Sequence, residues 1–200
     1  MIPNFKKIQE QPLDVSVVYI ASKDADFSDY SFTTTELEYI RNQMRNDKKQ
    51  IDINSYFKRS YIRFIPENKE KYQVEETMRR EASKLLPLLK EHEEKEIVVV
   101  DVSGNPDIIY AFLEGLGLSQ YKFQKYQTED TEKEEKIVQE IQVLSDEFDD
   151  RAIKKLEITC SAVFQARDLV NEPVAFLTAS QLGEEFKRLG SEAGFSVEVC

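Results

Sequence analysis

Few residues in this chain could do acid–base or metal chemistry, and most of them stand in charged runs. The only histidine is His92, in the sequence Glu91-His92-Glu93-Glu94 at the polar end of a predicted helix. A general base or a metal ligand needs convergent partners and a cleft, and we therefore expect His92 to be an exposed surface residue. The acidic runs 91–96 and 129–135 lack the spaced ligands and turn glycine of a calcium loop, so we expect both to be solvated.

A second candidate is Ser103-Gly104-Asn105, which follows a predicted central strand and opens a predicted helix. Helix N-termini and the loops that follow central strands bind anions, so one hypothesis is a nucleotide site at this loop. The other is structural, because one glycine does not make a glycine-rich phosphate loop. Asn105 followed by Pro106 is already explained as a helix N-cap with proline at the first helical position.

A third candidate is the polar set Arg167, Asp168, Asn171 and Glu172, within the sequence 166–173 that ends at a proline. One hypothesis places these side chains beside an active site. The other is that they fix a helix end and a crossing between domains through hydrogen bonds and a salt bridge. Their spacing is not that of metal ligands, which favours the structural role.

Composition limits the remaining functions. The chain has 200 residues, a net charge of −11 and 40% hydrophobic residues, enough for one domain or for one domain and part of a second. The negative charge disfavours binding to a phosphate backbone. The N-terminus is polar and no apolar run approaches membrane length, so we expect a cytoplasmic protein without a signal peptide. Cys160 and Cys200 are expected to be free thiols, with Cys160 buried and unreactive.

Hydrophobic periodicity predicts alternating strands and helices. The long helix 146–170 would span about 37 Å, a length that suits a connector between two domains. Pro87 is expected to kink or end its helix near Leu86, and the first helix is expected to fray near 47–50. Strands are predicted at 15–20, 56–65 (one strand or a hairpin arm), 97–102, 121–126, 137–144 and 195–199. Helices are predicted at 74–89, 105–117 and 146–170, and after each of the two capping boxes, Thr33–Glu36 and Thr178–Gln181.

Two stretches resemble the leucyl aminopeptidase family of hexameric two-metal exopeptidases. One is 111–118, Ala-Phe-Leu-Glu-Gly-Leu-Gly-Leu, with Tyr121, Phe123 and Tyr126 after it. It is similar to a family segment near the end of the N-terminal domain. The other is the Arg167 to Pro173 sequence with Leu177-Thr178 after it, which in that family lies where the N-terminal domain meets the catalytic domain. Both occur in the family's order.

The resemblance implies an α/β fold in three parts. Residues 1–145 would form a macro-domain-like N-terminal domain, a mixed sheet flanked by helices. Residues 146–172 would form a linker helix, and 173–200 the incomplete start of a second α/β domain, the peptidase catalytic domain. A helix followed by a lone strand at the end of the chain also indicates an unfinished α/β unit, so we expect the chain to end just inside that domain.

The resemblance also implies the chemistry of a longer parent protein. The parent would be a cytoplasmic homo-hexamer that removes N-terminal residues, often leucine, from peptides, with two manganese, zinc or magnesium ions activating a bridging water. The family's metal-ligand motifs are absent here, so we expect no catalytic, cofactor-binding or metal residue in this chain, and an inactive chain. The alternative is a stand-alone macro-like module for ligand binding or assembly. Nucleic acid and membrane are not expected partners.

Overall fold

The computed structural model describes residues 2–126 and 138–199, which form six strands and five helices. The acidic run 129–135 lies outside the described residues. The strands are β1 (Asn4–Lys7), β2 (Ser16–Ala21), β3 (Gln50–Ser55), β4 (Lys58–Phe64), β5 (Glu96–Asp101) and β6 (Glu140–Leu144). The helices are α1 (Thr34–Arg45), α2 (Lys71–Glu91), α3 (Pro106–Ser119), α4 (Asp150–Asn171) and α5 (Ala179–Ala193).

The strands form one mixed sheet in the order β1-β6-β5-β2-β4-β3. Every neighbouring pair is parallel except the β3–β4 hairpin. The apolar runs of β2 and β5 lie in the middle and are buried on both faces, as continuous apolar strands require. Helix α1 packs on one face of the sheet, and α2, α3 and α4 pack on the other. The predicted mixed α/β fold with flanking helices is confirmed.

Three local predictions about the helices need correction. Helix α2 continues through Pro87 to Glu91, so the predicted end near Leu86 is wrong; the turns around the proline are held by burial of Leu85, Leu86 and Leu89. Helix α3 passes its two glycines and ends at Ser119. Helix α4 begins later than predicted, because Asp149 caps it at Asp150.

The predicted strands at the sheet edges and at the C-terminal end also differ from the structure. Strand β3 begins at Gln50, immediately after the region where the first helix was expected to fray, and neither β3 nor β1 was predicted. The hairpin turns at Tyr56 and Phe57, so β4 starts at Lys58. Neither 121–126 nor 195–199 is a strand. The first packs against the end of α4, and the second folds back on α5, where Val197 and Val199 fill the space beside two helical glycines.

None of the described helices is both long and apolar enough to cross a membrane. Helix α4 has 22 residues and is about 33 Å long. The predicted boundaries between the N-terminal domain, the linker helix and the start of the second domain, after residues 145 and 172, stay a prediction.

Candidate functional site

The two stretches that carry the family resemblance contact each other in the structure. We call the contact between 121–126, which follows α3, and 167–177, which covers the end of α4 and the turn after it, the junction. At its centre the Tyr121 hydroxyl donates to Asp168 Oδ1 at 2.8 Å and accepts from Asn171 Nδ2 at 3.1 Å. Asn171 Nδ2 also donates to the Arg167 carbonyl at 2.8 Å. One phenol therefore holds two polar side chains of the Arg167 to Pro173 sequence.

The pKa of Tyr121 is raised. The main cause is desolvation, and the hydrogen bond to Asp168 adds to it because the phenol loses that bond when it ionises; the bond from Asn171 acts in the opposite direction. Arg167 lies beside the same ring, with its guanidinium carbon 5.4 Å from the Tyr121 centroid. Arg167 Nη1 donates to the Leu118 carbonyl at 2.8 Å, so a cation meets the C-terminal end of α3, where the helix dipole favours positive charge.

Glu172 forms the second half of the junction. Its carboxylate accepts from Lys125 Nζ at 2.9 and 3.0 Å and from the Tyr126 hydroxyl. The pKa of Glu172 is lowered, first by the Tyr126 hydrogen bond and then by that of Lys125. The Glu172 side chain is 8% exposed, whereas that of Lys125 is 62% exposed. Phe176, in the turn that follows, stacks on Tyr126 with ring centroids 5.0 Å apart.

The first stretch, within α3, packs the domain together. A Cβ at Gly115 would lie 2.4 Å from the Arg79 carbonyl oxygen, so α2 and α3 cross at backbone contact. Arg79 Nε donates to Glu114 Oε2 at 2.5 Å beside this crossing. Gly117 packs against the side chains of Phe5 and Cys160. The glycines of this stretch are therefore explained by close packing, without any ligand.

The junction is built to position two segments. Its two carboxylates are occupied by phenol and ammonium donors, and it contains no nucleophile paired with a base. Among residues 2–126 and 138–199, no three histidine, cysteine or carboxylate side chains are arranged to hold a metal ion. The hydrogen bonds and the ion pair hold the end of α4, while a role of Arg167, Asp168, Asn171 and Glu172 in a crossing between domains stays a prediction.

The Ser103–Asn105 loop does not fit an anion. Asp101 Oδ1 accepts from the Ser103 and Gly104 amides at 3.0 and 2.9 Å and from Ser103 Oγ at 2.7 Å. Asn105 Oδ1 accepts from the first amides of α3, which confirms the predicted N-cap. Nearby, the pKa of Tyr30 is raised by burial and then by the charges of Asp101, Asp29 and Asp146. A phosphate would have to displace the Asp101 carboxylate in a negatively charged environment. The loop amides are therefore already bonded and not free to donate to a nucleotide, which argues against the nucleotide hypothesis.

His92 is half-buried, and the prediction of an exposed histidine is wrong. It ends α2, and its Nδ1 lies 2.9 Å from the hydroxyl of Tyr61, a residue that is 1% exposed. The only indication of this contact in the sequence is that Tyr61, once buried in its strand, needs a polar partner for its hydroxyl. Ser16 and Glu94 lie close by, but Ser16 Oγ donates to Glu94 at 2.7 Å and not to the histidine. These side chains therefore connect the first residues of neighbouring strands to the end of α2, and Ser16 is not paired with His92.

Cys160 is buried, as predicted, and lies in the core beneath α3. Burial raises the pKa of its thiol to about 11. A thiol with that pKa is almost fully protonated near neutral pH, so it is a poor nucleophile.

The chain is similar to curated cytosol aminopeptidases, while no protein-family model matches it. It is 33% identical over 138 residues to a probable cytosol aminopeptidase of Clostridium perfringens, a match of 63% of this chain and 27% of that protein. It is 29% identical over 151 residues to one from Sulfurihydrogenibium sp., a match of 71% of this chain and 29% of that protein. The chain thus spans between a quarter and a third of the length of these relatives.

Solved structures show the same fold at low sequence identity. A mutant of tomato leucine aminopeptidase matches 95% of this chain and 42% of that chain, with a TM-score of 0.68 and 15% identity. A bottromycin maturation enzyme in complex with manganese matches 91% of this chain and 37% of that one, with a TM-score of 0.61 and 16% identity. Leucine aminopeptidase of Caenorhabditis elegans matches 96% of this chain and 41% of that chain, with a TM-score of 0.58 and 14% identity.

Proposed function

We propose that this chain, a homologue of the cytosol aminopeptidases over part of their length, is the non-catalytic N-terminal portion of a leucyl aminopeptidase. Its role would be to carry and orient the catalytic domain of a parent enzyme. That parent would remove N-terminal residues, often leucine, from peptides. The observation that carries the proposal is the junction, in which the two stretches that resemble the family hold each other through Tyr121 and Glu172.

The junction fixes the direction in which the chain leaves α4. Glu172 is bound by Lys125 at the helix end, and Asp168, one turn earlier, is bound by the Tyr121 hydroxyl, which also accepts from Asn171. Two anchors about one turn apart prevent the end of α4 from rotating about its own axis. The segment after Pro173, where the catalytic domain would begin, therefore starts from a defined position.

Exposed apolar side chains at and beyond the junction support the same proposal. Val170 is 84% exposed, Val174 is 83% exposed and Phe176 is 58% exposed. On α5 and after it, Phe186 and Phe195 are also exposed. Large apolar surface on a soluble protein commonly marks an interface, and the proposal assigns this surface to contact with the catalytic domain.

The metal chemistry belongs to the parent. The described residues of this chain do not fit a two-metal site, since no three suitable donors converge, and we derive no catalytic step through metal ions here. The proposal places the metal-binding residues, with manganese, zinc or magnesium, in the part of the relatives that this chain does not match. The cytoplasmic location and the hexameric state of the parent rest on the same homology.

A fusion tests the proposal directly. This chain would replace the matching part of the Clostridium perfringens relative, and hydrolysis of leucine p-nitroanilide would be measured with manganese. We expect the fusion to turn over substrate and the 200-residue chain alone to give no rate above buffer. A matched fusion with Glu172→Gln and Tyr121→Phe should fold but lose activity, because its junction is loosened. Turnover by the chain alone would show that the non-catalytic assignment is wrong.

A further inference from the structure

The two edges of the sheet are protected to very different extents. Edge strand β1 has four residues, follows Pro3 and contains Lys6 and Lys7. Proline, lysine and short length are the usual means by which proteins prevent an edge strand from pairing with another chain. Edge strand β3 has six residues and contains neither proline nor lysine, and its register with β4 runs from Gln50 to Ser55 without a bulge.

The free backbone groups of β3 can be assigned from the ladder. The Phe64 amide donates to the Lys49 carbonyl at 3.2 Å, so in an antiparallel pair the alternate residues from Lys49 onward direct their groups towards β4. Gln50, Asp52 and Asn54 therefore direct their amides and carbonyls outward. In the described part of the chain these outward groups have no hydrogen-bond partner. The three residues form a template for an added antiparallel strand.

The hairpin tip next to this edge presents two aromatic rings to solvent. Tyr56 is 97% exposed and Phe57 is 94% exposed. Tyr56 has a φ of 59°, a conformation that tight hairpin turns usually give to glycine or asparagine. A bulky residue there is strained, and its ring makes no compensating contact within the described chain. Lys49, at the opposite end of the strand, is also exposed.

We propose that β3 pairs antiparallel with β3 of a second copy of this chain, which extends the sheet across a two-fold axis. Charge selects the register. A register centred on Asp52 would place the two Asp52 carboxylates opposite each other, which is unfavourable. The register centred on Ile53 places Ile53 opposite the partner's Ile53 and Asp52 opposite the partner's Asn54.

The same register brings complementary groups together at both ends. Tyr56 and Phe57 form the hairpin turn and leave the strand, but in this register each tip lies beside the first residues of the partner's strand, Gln50 and the preceding Lys49. A lysine over a phenylalanine ring is attracted by the ring quadrupole. Asp52 and Asn54, whose backbone groups point outward, become the hydrogen-bonded pairs. Four tip rings, each burying roughly 150–250 Å² when completely covered, set an upper limit of about 600–1,000 Å² on their share of the ~1,200 Å² at which stable interfaces begin.

Sedimentation velocity over a concentration series tests this dimer, which is independent of the proposed aminopeptidase role. We expect the 200-residue chain to dimerise. Phe57→Ala should weaken the dimer about tenfold, and Asn54→Pro should abolish it by removing an outward amide without touching the β4 ladder. Tyr72→Ala, which removes an exposed aromatic ring from α2, is the matched control and should change nothing. Circular dichroism verifies that each variant is folded.

Cross-linking tests the register. In a Cys200→Ser background, Ile53→Cys should form an inter-chain disulfide, because the Cα atoms of a non-hydrogen-bonded pair lie about 4.5 Å apart. Gln50→Cys should not, because six residues of offset place the two cysteines about 20 Å apart. The proposal is overturned by a chain that stays monomeric at all concentrations, by a dimer insensitive to Phe57→Ala, or by a disulfide that forms in Gln50→Cys instead of in Ile53→Cys. A monomer that binds a strand of a different protein also overturns it.

Discussion

Gly115→Ala adds one methyl group where α3 crosses α2, and the structure predicts a large effect on stability. The added Cβ would lie 2.4 Å from the Arg79 carbonyl oxygen and 2.5 Å from the Arg79 Cα. Both are backbone atoms of α2, which cannot swing aside as a flexible side chain can, so the helices must move apart by about 1 Å to reach ordinary contact. A gap of that size forfeits a quarter to a half of the dispersion energy of the atoms that lined it.

The free energy of unfolding should fall by about 2–3 kcal/mol. Overpacking in a core costs roughly 1–3 kcal/mol, and a clash with backbone belongs at the upper end of that range. Alanine in a helix regains up to about 1 kcal/mol relative to glycine, which limits the net loss. For a chain of this size the change corresponds to a melting temperature lower by about 5–10 °C. Urea unfolding followed by circular dichroism measures the free energy, and a thermal scan measures the temperature.

Gly117→Ala is the matched control, two residues along the same helix. A Cβ there would meet Phe5 Cζ at 3.1 Å and Cys160 Sγ at 3.2 Å. Both contacts are side-chain atoms that can shift by a few tenths of an ångström, so the gain in helix propensity should offset the cost to within about 1 kcal/mol. If Gly115→Ala proved as stable as the wild type, or if the two variants lost equal stability, the close crossing of α2 and α3 would not be what requires glycine.

Three further predictions concern the junction, the thiol and the loop. The lowered pKa of Glu172 means that its contribution to stability is present above the unfolded pKa of about 4.3 and is lost as pH falls through the lower folded value. The protection factors of the junction amides, which are exchange rates corrected for the intrinsic rate at each pH, should therefore fall in that acidic window, but not in Glu172→Gln. With Cys200→Ser, Cys160 should resist Ellman's reagent at pH 8 in the folded chain and react on denaturation; rapid labelling would contradict its burial. ADP-ribose should give no binding heat by calorimetry, because Asp101 occupies the loop amides; saturable heat would restore the nucleotide hypothesis.

The central elements were predictable because their local signals agree with their environment. The β-branched run of β5 is buried in mid-sheet, and Thr33 and Thr178 form the capping boxes that their sequences predict. In each case the pattern and the observed contact involve residues only a few positions apart, so tertiary structure had little to override.

The edges and the junction depended on contacts that no local pattern encodes. Gln50–Ser55 alternates weakly and lies beside a helix end, and its strand character comes from pairing with β4. Residues 121–126 alternate as a strand does, but their aromatic rings face α4 and the turn after it, and they pair with no strand. The partners of Tyr121 lie 47 and 50 residues away, a distance at which periodicity carries no information.

The position of Arg167 and Glu172 at the end of α4 can be understood from the length of that helix. Helix α4 is about 33 Å long, so a rotation of 5° about its start would displace its far end by about 3 Å. An enzyme active site loses much of its rate when groups are misplaced by about 1 Å. Under the proposed function, a long connector is therefore useful only if its far end is bound to the domain from which it starts. The hydrogen bond from Arg167 to the Leu118 carbonyl and the ion pair of Glu172 with Lys125 supply that attachment, so under the proposed function the sequence that resembles the family would serve to hold the connector in place.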